Sequence, residues 1–111
     1  MELGIAPFGC LWLYDMVLRM SRVRVTNFYA GRVQGVGFRY SVKTLVMGFE
    51  VTGAVRNLPD GRVELIVEGD KAELEAFLQA IRESDVGRFI RQEQTNWFEA
   101  KNEFRGFEIT R

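Results

Sequence analysis

The segment that most limits how this chain can fold is GRVQGVGFR, residues 31–39, in which three glycines stand among apolar and polar residues. Glycine has no Cβ, so it adopts dihedral angles that turn consecutive backbone N–H groups toward one point. A helix-compatible run follows directly, and the first turn of a helix leaves its N–H groups without partners. The segment therefore predicts a concave anion site, formed by Gln34, Gly35, Val36, Gly37, Phe38 and Arg39.

Arg39 closes this segment and is expected at the rim of the anion site. Its guanidinium carries a fixed charge and a planar set of donors, which suits two phosphate oxygens at once. The chemistry of the segment therefore indicates phosphate. The residues alone leave one alternative open, an ordinary glycine turn beside a solvated arginine, because short glycine motifs also occur by chance.

Composition excludes several classes of function. The 111 residues form one domain, and 47% hydrophobic content with nine phenylalanines can build a modest core. Fifteen basic and fifteen acidic residues cancel, so the broad positive field that nucleic acid requires is missing. The sequence has no histidine and one cysteine, which argues against the usual zinc sites, histidine-based triads and a disulfide framework.

The N-terminal residues 1–21 differ in character from the rest of the chain. They are apolar but interrupted by charged residues, proline and glycine, and the apolar part is too short to span a bilayer. They also lack the basic leading region and cleavage site of a secretory signal. We expect a cytoplasmic protein without a membrane contact, in which residues 1–21 are a dispensable extension, disordered or from an upstream start. A short amphipathic helix over residues 11–18 that shields the domain or touches a partner is the alternative.

Hydrophobic periodicity predicts the first half of the domain. Val23, Val25, Asn27 and Tyr29 share one face of a first strand, where the polar Asn27 needs a hydrogen-bond partner. A helix over residues 38–47 follows and is expected to end at Gly48. Two strands, over residues 51–56 and 62–68, form a hairpin around the turn sequence LPDG at residues 58–61.

The second half of the sequence predicts one more helix and two more strands. Asp70 and Glu73 predict a capping box before a helix with the apolar stripe Leu74, Phe77, Leu78 and Ile81. Strands are expected over residues 89–95 and 104–110, with a loop over residues 96–103. This order predicts an α+β fold, a ferredoxin-like βαββαβ sandwich. Its antiparallel sheet carries two helices on one face and a short extra C-terminal strand.

Simple dimensions place the end of the second strand near the glycine segment. A helix of about ten residues leads roughly 15 Å away from Arg39. Six or seven extended residues bring the chain back by about 20 Å. Asn57 is therefore expected to return to the mouth of the anion site.

Two segments of the sequence resemble the acylphosphatase family, small enzymes that hydrolyse the carboxyl-phosphate bond. GRVQGVGFR at residues 31–39 is similar to the family signature, and GAVRNLPDG at residues 53–61 is similar to its second motif. The resemblance implies this fold for residues 22–111. It also implies that Arg39 binds the phosphoryl group, that Asn57 positions the attacking water, and that neither a cofactor nor a metal is needed.

The resemblance implies hydrolysis of small acyl phosphates, and the small neutral surface suggests a monomer. Acyl phosphates have a good leaving group, so their hydrolysis requires orientation and charge stabilisation more than a strong base. Two alternatives are a non-catalytic module that binds phosphate or carbamoyl phosphate, and a ferredoxin-like domain that binds RNA or protein. The neutral charge disfavours RNA. An intact Arg39 and Asn57, on a sequence without a further domain, favour the enzyme.

Overall fold

The computed structural model of this protein describes residues 22–111. The strands are β1 (Arg22–Gly31), β2 (Thr52–Asn57), β3 (Val63–Asp70), β4 (Ile90–Glu99) and β5 (Phe107–Thr110). The helices are α1 (Phe38–Val46) and α2 (Lys71–Glu83), and a 3-10 turn spans Asp85–Phe89. No helix in this part of the chain is long and apolar enough to cross a membrane. The expectations for residues 1–21, an extension or a helix over residues 11–18, lie outside the described residues.

The strands form one sheet in the order β4-β1-β3-β2-β5. β1 pairs antiparallel with β3 and β4, and β2 pairs antiparallel with β3. This confirms the ferredoxin-like core and its antiparallel pairing. The extra C-terminal strand is also present, but β5 runs parallel to β2, so the complete sheet is mixed.

One face of the sheet carries both helices and the hydrophobic core. The core residues of the sheet alternate along the strands, as the sequence pattern predicts: Val25, Tyr29, Val55, Val63, Leu65 and Val67. α1 contributes Phe38 and Val42, and α2 contributes the whole predicted stripe. Because these side chains join in one cluster, α1 is held against the sheet directly after the glycine segment.

Asn27 is fully buried among these apolar residues, and it has the partners that its position requires. Its Nδ2 donates to Glu93 Oε1 at 3.1 Å, and its Oδ1 accepts a hydrogen bond from the Thr95 hydroxyl. Both partners belong to β4, the strand next to β1. Asn27 therefore links β1 to β4, and β1 stays regular at this position.

The predicted capping box at the start of α2 is wrong. Asp70 is the N-cap residue, but its side chain makes no capping hydrogen bond. The carboxylate of Glu73 instead accepts from the backbone N–H of Glu50, at 2.9 Å. Glu73 thus fixes the segment that leads into β2. Its carboxylate binds the distant N–H of Glu50 and not an N–H at the start of its own helix.

The last two strands differ from the prediction at their ends. β4 continues through residues 96–99, which were expected in a loop, because these residues pair with residues 23–26 of β1. β5 begins at Phe107, while Phe104 lies in the preceding segment under the guanidinium of Arg24, 5.4 Å from the ring centre. The segment between the strands crosses the sheet face opposite the helices, where it contacts Glu68.

Candidate active site

The glycine segment forms a tight turn between β1 and α1. Gly35 has φ 80° and Gly37 has φ 82°, both in the left-handed region that favours glycine. Gly37 is the N-cap residue of α1. A Cβ at either position would have no neighbouring atom within 4 Å, so the backbone angle rather than crowding accounts for glycine.

The backbone N–H groups of residues 34–40 donate to no backbone acceptor among residues 22–111. The next amide, that of Ser41, donates to the carbonyl of Gly37 at 3.0 Å. The first turn of α1 carries no acidic residue that would repel an anion. A continuous run of unpaired N–H groups at the positive end of a helix is suited to binding a phosphate.

The two ends of this turn are fixed in the core while its glycines are exposed. Val33 is 1% exposed and Phe38 is 2% exposed. The ring of Phe38 packs against the ring of Tyr29, with the centroids 5.0 Å apart. The turn is therefore held by the core at both of its ends.

Arg39 lies half-buried in the first turn of α1. Four other arginines, Arg24, Arg56, Arg62 and Arg82, each form an ion pair with a carboxylate. Among residues 22–111, no carboxylate lies within ion-pair distance of the Arg39 guanidinium. Its charge therefore adds to the anion-binding character of the turn.

Asn57 is the last residue of β2. Its side-chain oxygen Oδ1 is buried and has no hydrogen-bond partner in the part of the chain that the structure describes. Leaving a buried acceptor unpaired costs about 1–3 kcal/mol. Buried polar atoms are rarely left without a partner, so this oxygen is available to accept a hydrogen bond from a water or a ligand.

Gln34 joins the two motifs. Its side-chain Nε2 donates to the carbonyl oxygen of Leu58 at 2.8 Å and to that of Arg62 at 2.9 Å. Leu58 directly follows Asn57, so the end of β2 lies against the glycine turn. This confirms the prediction that the second motif returns to the first. The sequence predicts a role only for the backbone N–H of Gln34 and not for its side chain. The one feature of the sequence that indicates the side-chain contact is the amide group of Gln34, which carries two donors.

The predicted site residues therefore fall at one end of the sheet. The structure brings the phosphate-binding candidates into one turn: Gln34, Gly35, Val36, Gly37, Phe38 and Arg39. The Leu58 contact brings the strand end that carries Asn57 to the same turn. Within residues 22–111, no group of three or more acidic, histidine or cysteine side chains could hold a metal ion.

Comparison with known proteins gives consistent results. A family model described as Acylphosphatase matches residues 25–109. The Acylphosphatase of Thermobifida fusca is 37% identical over 89 residues, which cover 80% of this chain and 98% of that protein. The crystal structure of acylphosphatase from Bacillus subtilis superimposes with a TM-score of 0.72 at 30% identity, over 80% of this chain and 99% of that one.

A much larger protein contains a similar unit. The crystal structure of full-length HypF, in its phosphate- and nucleotide-bound form, matches 80% of this chain with a TM-score of 0.66 and 30% identity. The match covers 12% of that chain. The family model and the relatives that match nearly end to end decide the assignment: this chain belongs to the acylphosphatase family.

Proposed function

We propose that this protein hydrolyses the carboxyl-phosphate bond of small acyl phosphates, giving a carboxylate and inorganic phosphate. One observation carries the proposal. The unpaired amides of residues 34–40 lead to an arginine without a carboxylate partner among the described residues, beside a strand that ends in a buried, unpartnered amide oxygen. An anion site next to an unused acceptor fits a phosphoryl group and the water that attacks it.

The turn and Arg39 hold the phosphoryl group in this mechanism. Backbone N–H groups donate to its oxygens, and the planar guanidinium contacts two of them at once. Charge shifts among these oxygens as the bond to the acyl oxygen breaks. Donors that are already in place stabilise that charge without reorganisation, and this effect is usually the largest contribution to catalysis.

Asn57 positions the water. Its Oδ1 accepts a hydrogen bond from the water and sets the direction of attack on phosphorus, in line with the departing carboxylate. The new phosphorus–oxygen bond forms as the bond to the acyl oxygen breaks. The water proton passes to a phosphoryl oxygen, so the carboxylate leaves as an anion. Because the carboxylate is a good leaving group, this step does not need a strong base.

A binding module is the second candidate, and the likeness to a unit of HypF favours it. Such a module would use the same turn and Arg39 to hold a phosphorylated ligand without turnover. The two candidates differ in one measurable property, because the module binds phosphate and leaves the acyl phosphate intact.

The deciding experiment is hydrolysis of benzoyl phosphate by the purified full chain, with and without a chelator. We expect turnover that the chelator leaves unchanged and that inorganic phosphate inhibits competitively. Phosphate binding without hydrolysis would favour the binding module. Activity that disappears with the chelator would contradict a mechanism built on amides, Arg39 and Asn57.

We also propose that the protein acts as a monomer in the cytoplasm. The single cysteine supports the cytoplasmic location, since no intrachain disulfide can form. Light scattering of the purified protein and fractionation of cells test the two statements. A dimer at micromolar concentration, or recovery outside the cytoplasm, would contradict them.

A further inference from the structure

The side chain of Gln34 has a contact that the phosphate site does not require. Phosphate binding uses its backbone N–H, whereas Nε2 points to the turn after β2 and donates to two carbonyl oxygens, those of Leu58 and Arg62. The two acceptors are 24 and 28 residues away in sequence. One side-chain amide therefore uses both of its donors on a single remote turn.

That remote turn is itself rigid. The N–H of Leu58 donates to the carbonyl of Arg62 at 2.8 Å, and the N–H of Gly61 donates to the carbonyl of Leu58 at 3.1 Å. The carboxylate of Asp60 accepts from the N–H of Arg62 at 3.0 Å and from its side-chain Nε at 2.8 Å. Since the turn is closed on itself, a bond to its two carbonyls fixes the whole turn relative to the glycine segment.

Asn57 is covalently attached to this turn and lies one residue before Leu58. Its Oδ1 has no partner of its own among residues 22–111, so no side-chain hydrogen bond of that oxygen fixes it relative to the phosphate site. The bonds from Gln34 are the side-chain hydrogen bonds that link the glycine turn to the turn after β2. The alignment of Asn57 with the bound phosphoryl group therefore depends on Gln34.

We propose that Gln34 is a positioning residue, whose side-chain amide holds the turn after β2 so that Asn57 directs water onto the phosphoryl group. This inference rests on the proposed function. Gln34 acts through Asn57 and touches neither water nor substrate with its side chain. Its removal leaves the amides and Arg39 in place, so it changes the rate of the chemical step and leaves phosphate binding intact.

The experiment is a double-mutant cycle with benzoyl phosphate as the substrate. Gln34→Met keeps a side chain of similar length without the two donors, and Asn57→Ala removes the group on which Gln34 acts. Gln94→Met is the matched control, because Gln94 is an exposed glutamine on β4. The readouts are kcat, the inhibition constant of inorganic phosphate, and the melting temperature.

We expect Gln34→Met to lower kcat about tenfold in the otherwise unchanged protein, because small errors in alignment are costly in a positioned reaction. In the Asn57→Ala background the same substitution should lower kcat less than about twofold, since residues that act as a unit are not additive. The phosphate inhibition constant should stay within about twofold, because the phosphate site loses no donor. Gln94→Met should behave like the unchanged protein.

Equal effects of Gln34→Met in both backgrounds would overturn the inference and leave the proposed function standing. A parallel loss of phosphate binding would overturn it as well, because Gln34 would then support the anion site itself. If Gln34→Met does not fold, Gln34→Glu takes its place, since it keeps the shape and puts an acceptor against two carbonyls. Absence of hydrolysis by the unchanged protein would overturn the proposed function and this inference together.

Discussion

The carboxylate of Glu68 on β3 and the guanidinium of Arg24 on β1 meet at 2.7 Å, on the sheet face opposite the helices. Glu68 is fully buried there. It also accepts hydrogen bonds from the backbone N–H groups of Lys101 and Asn102, each at 2.8 Å. One buried carboxylate therefore holds the segment that crosses from β4 to β5, and the outer face of the sheet depends on its charge.

Glu68→Gln should lower the free energy of unfolding by about 2–3 kcal/mol, because it weakens charge-assisted hydrogen bonds in a buried site. Urea denaturation of the variant measures this. Glu64→Gln is the matched control, because Glu64 pairs with Arg56 at 2.5 Å in a more exposed position. The control should cost less than about 1 kcal/mol. Equal losses in the two variants would show that the Glu68 carboxylate is not the anchor.

Stability should depend on pH through the same group. Burial acts to raise the pKa of the Glu68 carboxyl, but hydrogen bonds from Lys101, Arg24 and Asn102 outweigh it, and the pKa lies below its ordinary value of 4.5. The ionised form therefore contributes stability above that value and loses it as the pH falls through the lowered pKa. We expect the stability difference between the unchanged protein and Glu68→Gln to narrow below pH 4.5. A difference that stays constant down to the lowest pH at which the protein folds would contradict this.

Sequence periodicity predicts the parts of the fold that bury one face. β1, both helices and the hairpin of β2 and β3 all carry such a pattern, and the sequence predicts each of them to within a few residues of its observed bounds. The sequence does not predict the end of β4, because Trp97 and Phe98 are both exposed and the strand shows no alternation of buried residues. The sequence also does not predict the direction of β5. That direction follows from the path of the segment between β4 and β5, which Glu68 holds against the sheet.

The sequence predicts the backbone of the candidate site better than it predicts the contacts of its side chains. Glycine spacing indicates the turn before α1, and the motif resemblance selects Arg39 and Asn57. The contacts of Gln34 with Leu58 and Arg62 were not predictable, because they depend on how two distant turns approach each other. The same reason explains why Glu73 binds Glu50 instead of its own helix end.

Gly37→Ala should destabilise the glycine turn between β1 and α1 through its backbone angle. A left-handed residue with a Cβ costs about 1–2 kcal/mol, although no atom within 4 Å opposes the added group. We expect this loss in urea denaturation, together with a smaller rise of the melting temperature on addition of phosphate. Gly48→Ala is the control, because its φ is ordinary and its nearest neighbour lies 3.7 Å away. A Gly37→Ala variant as stable as this control would contradict the assigned geometry.

Arg39→Lys and Arg39→Gln should each lower kcat for benzoyl phosphate at least about a hundredfold, the typical loss when one transition-state donor is removed. Lysine keeps the charge but not the planar pair of donors, so it should not restore the rate. Phosphate should protect Arg39→Gln weakly against thermal unfolding. Arg91→Lys, at an exposed position on β4, serves as the control and should retain full activity. Normal turnover by Arg39→Lys would contradict two-point contact.

Asn57→Ala should separate catalysis from both binding and stability. We expect kcat to fall about a hundredfold or more, because the water loses the acceptor that orients it. Inorganic phosphate should still inhibit and protect the variant, since the amides of residues 34–40 and Arg39 remain. The free energy of unfolding should stay the same or rise, because the substitution removes a buried oxygen that has no partner among residues 22–111. A drop in stability together with equal losses of kcat and phosphate binding would instead make Asn57 a structural support of the turn.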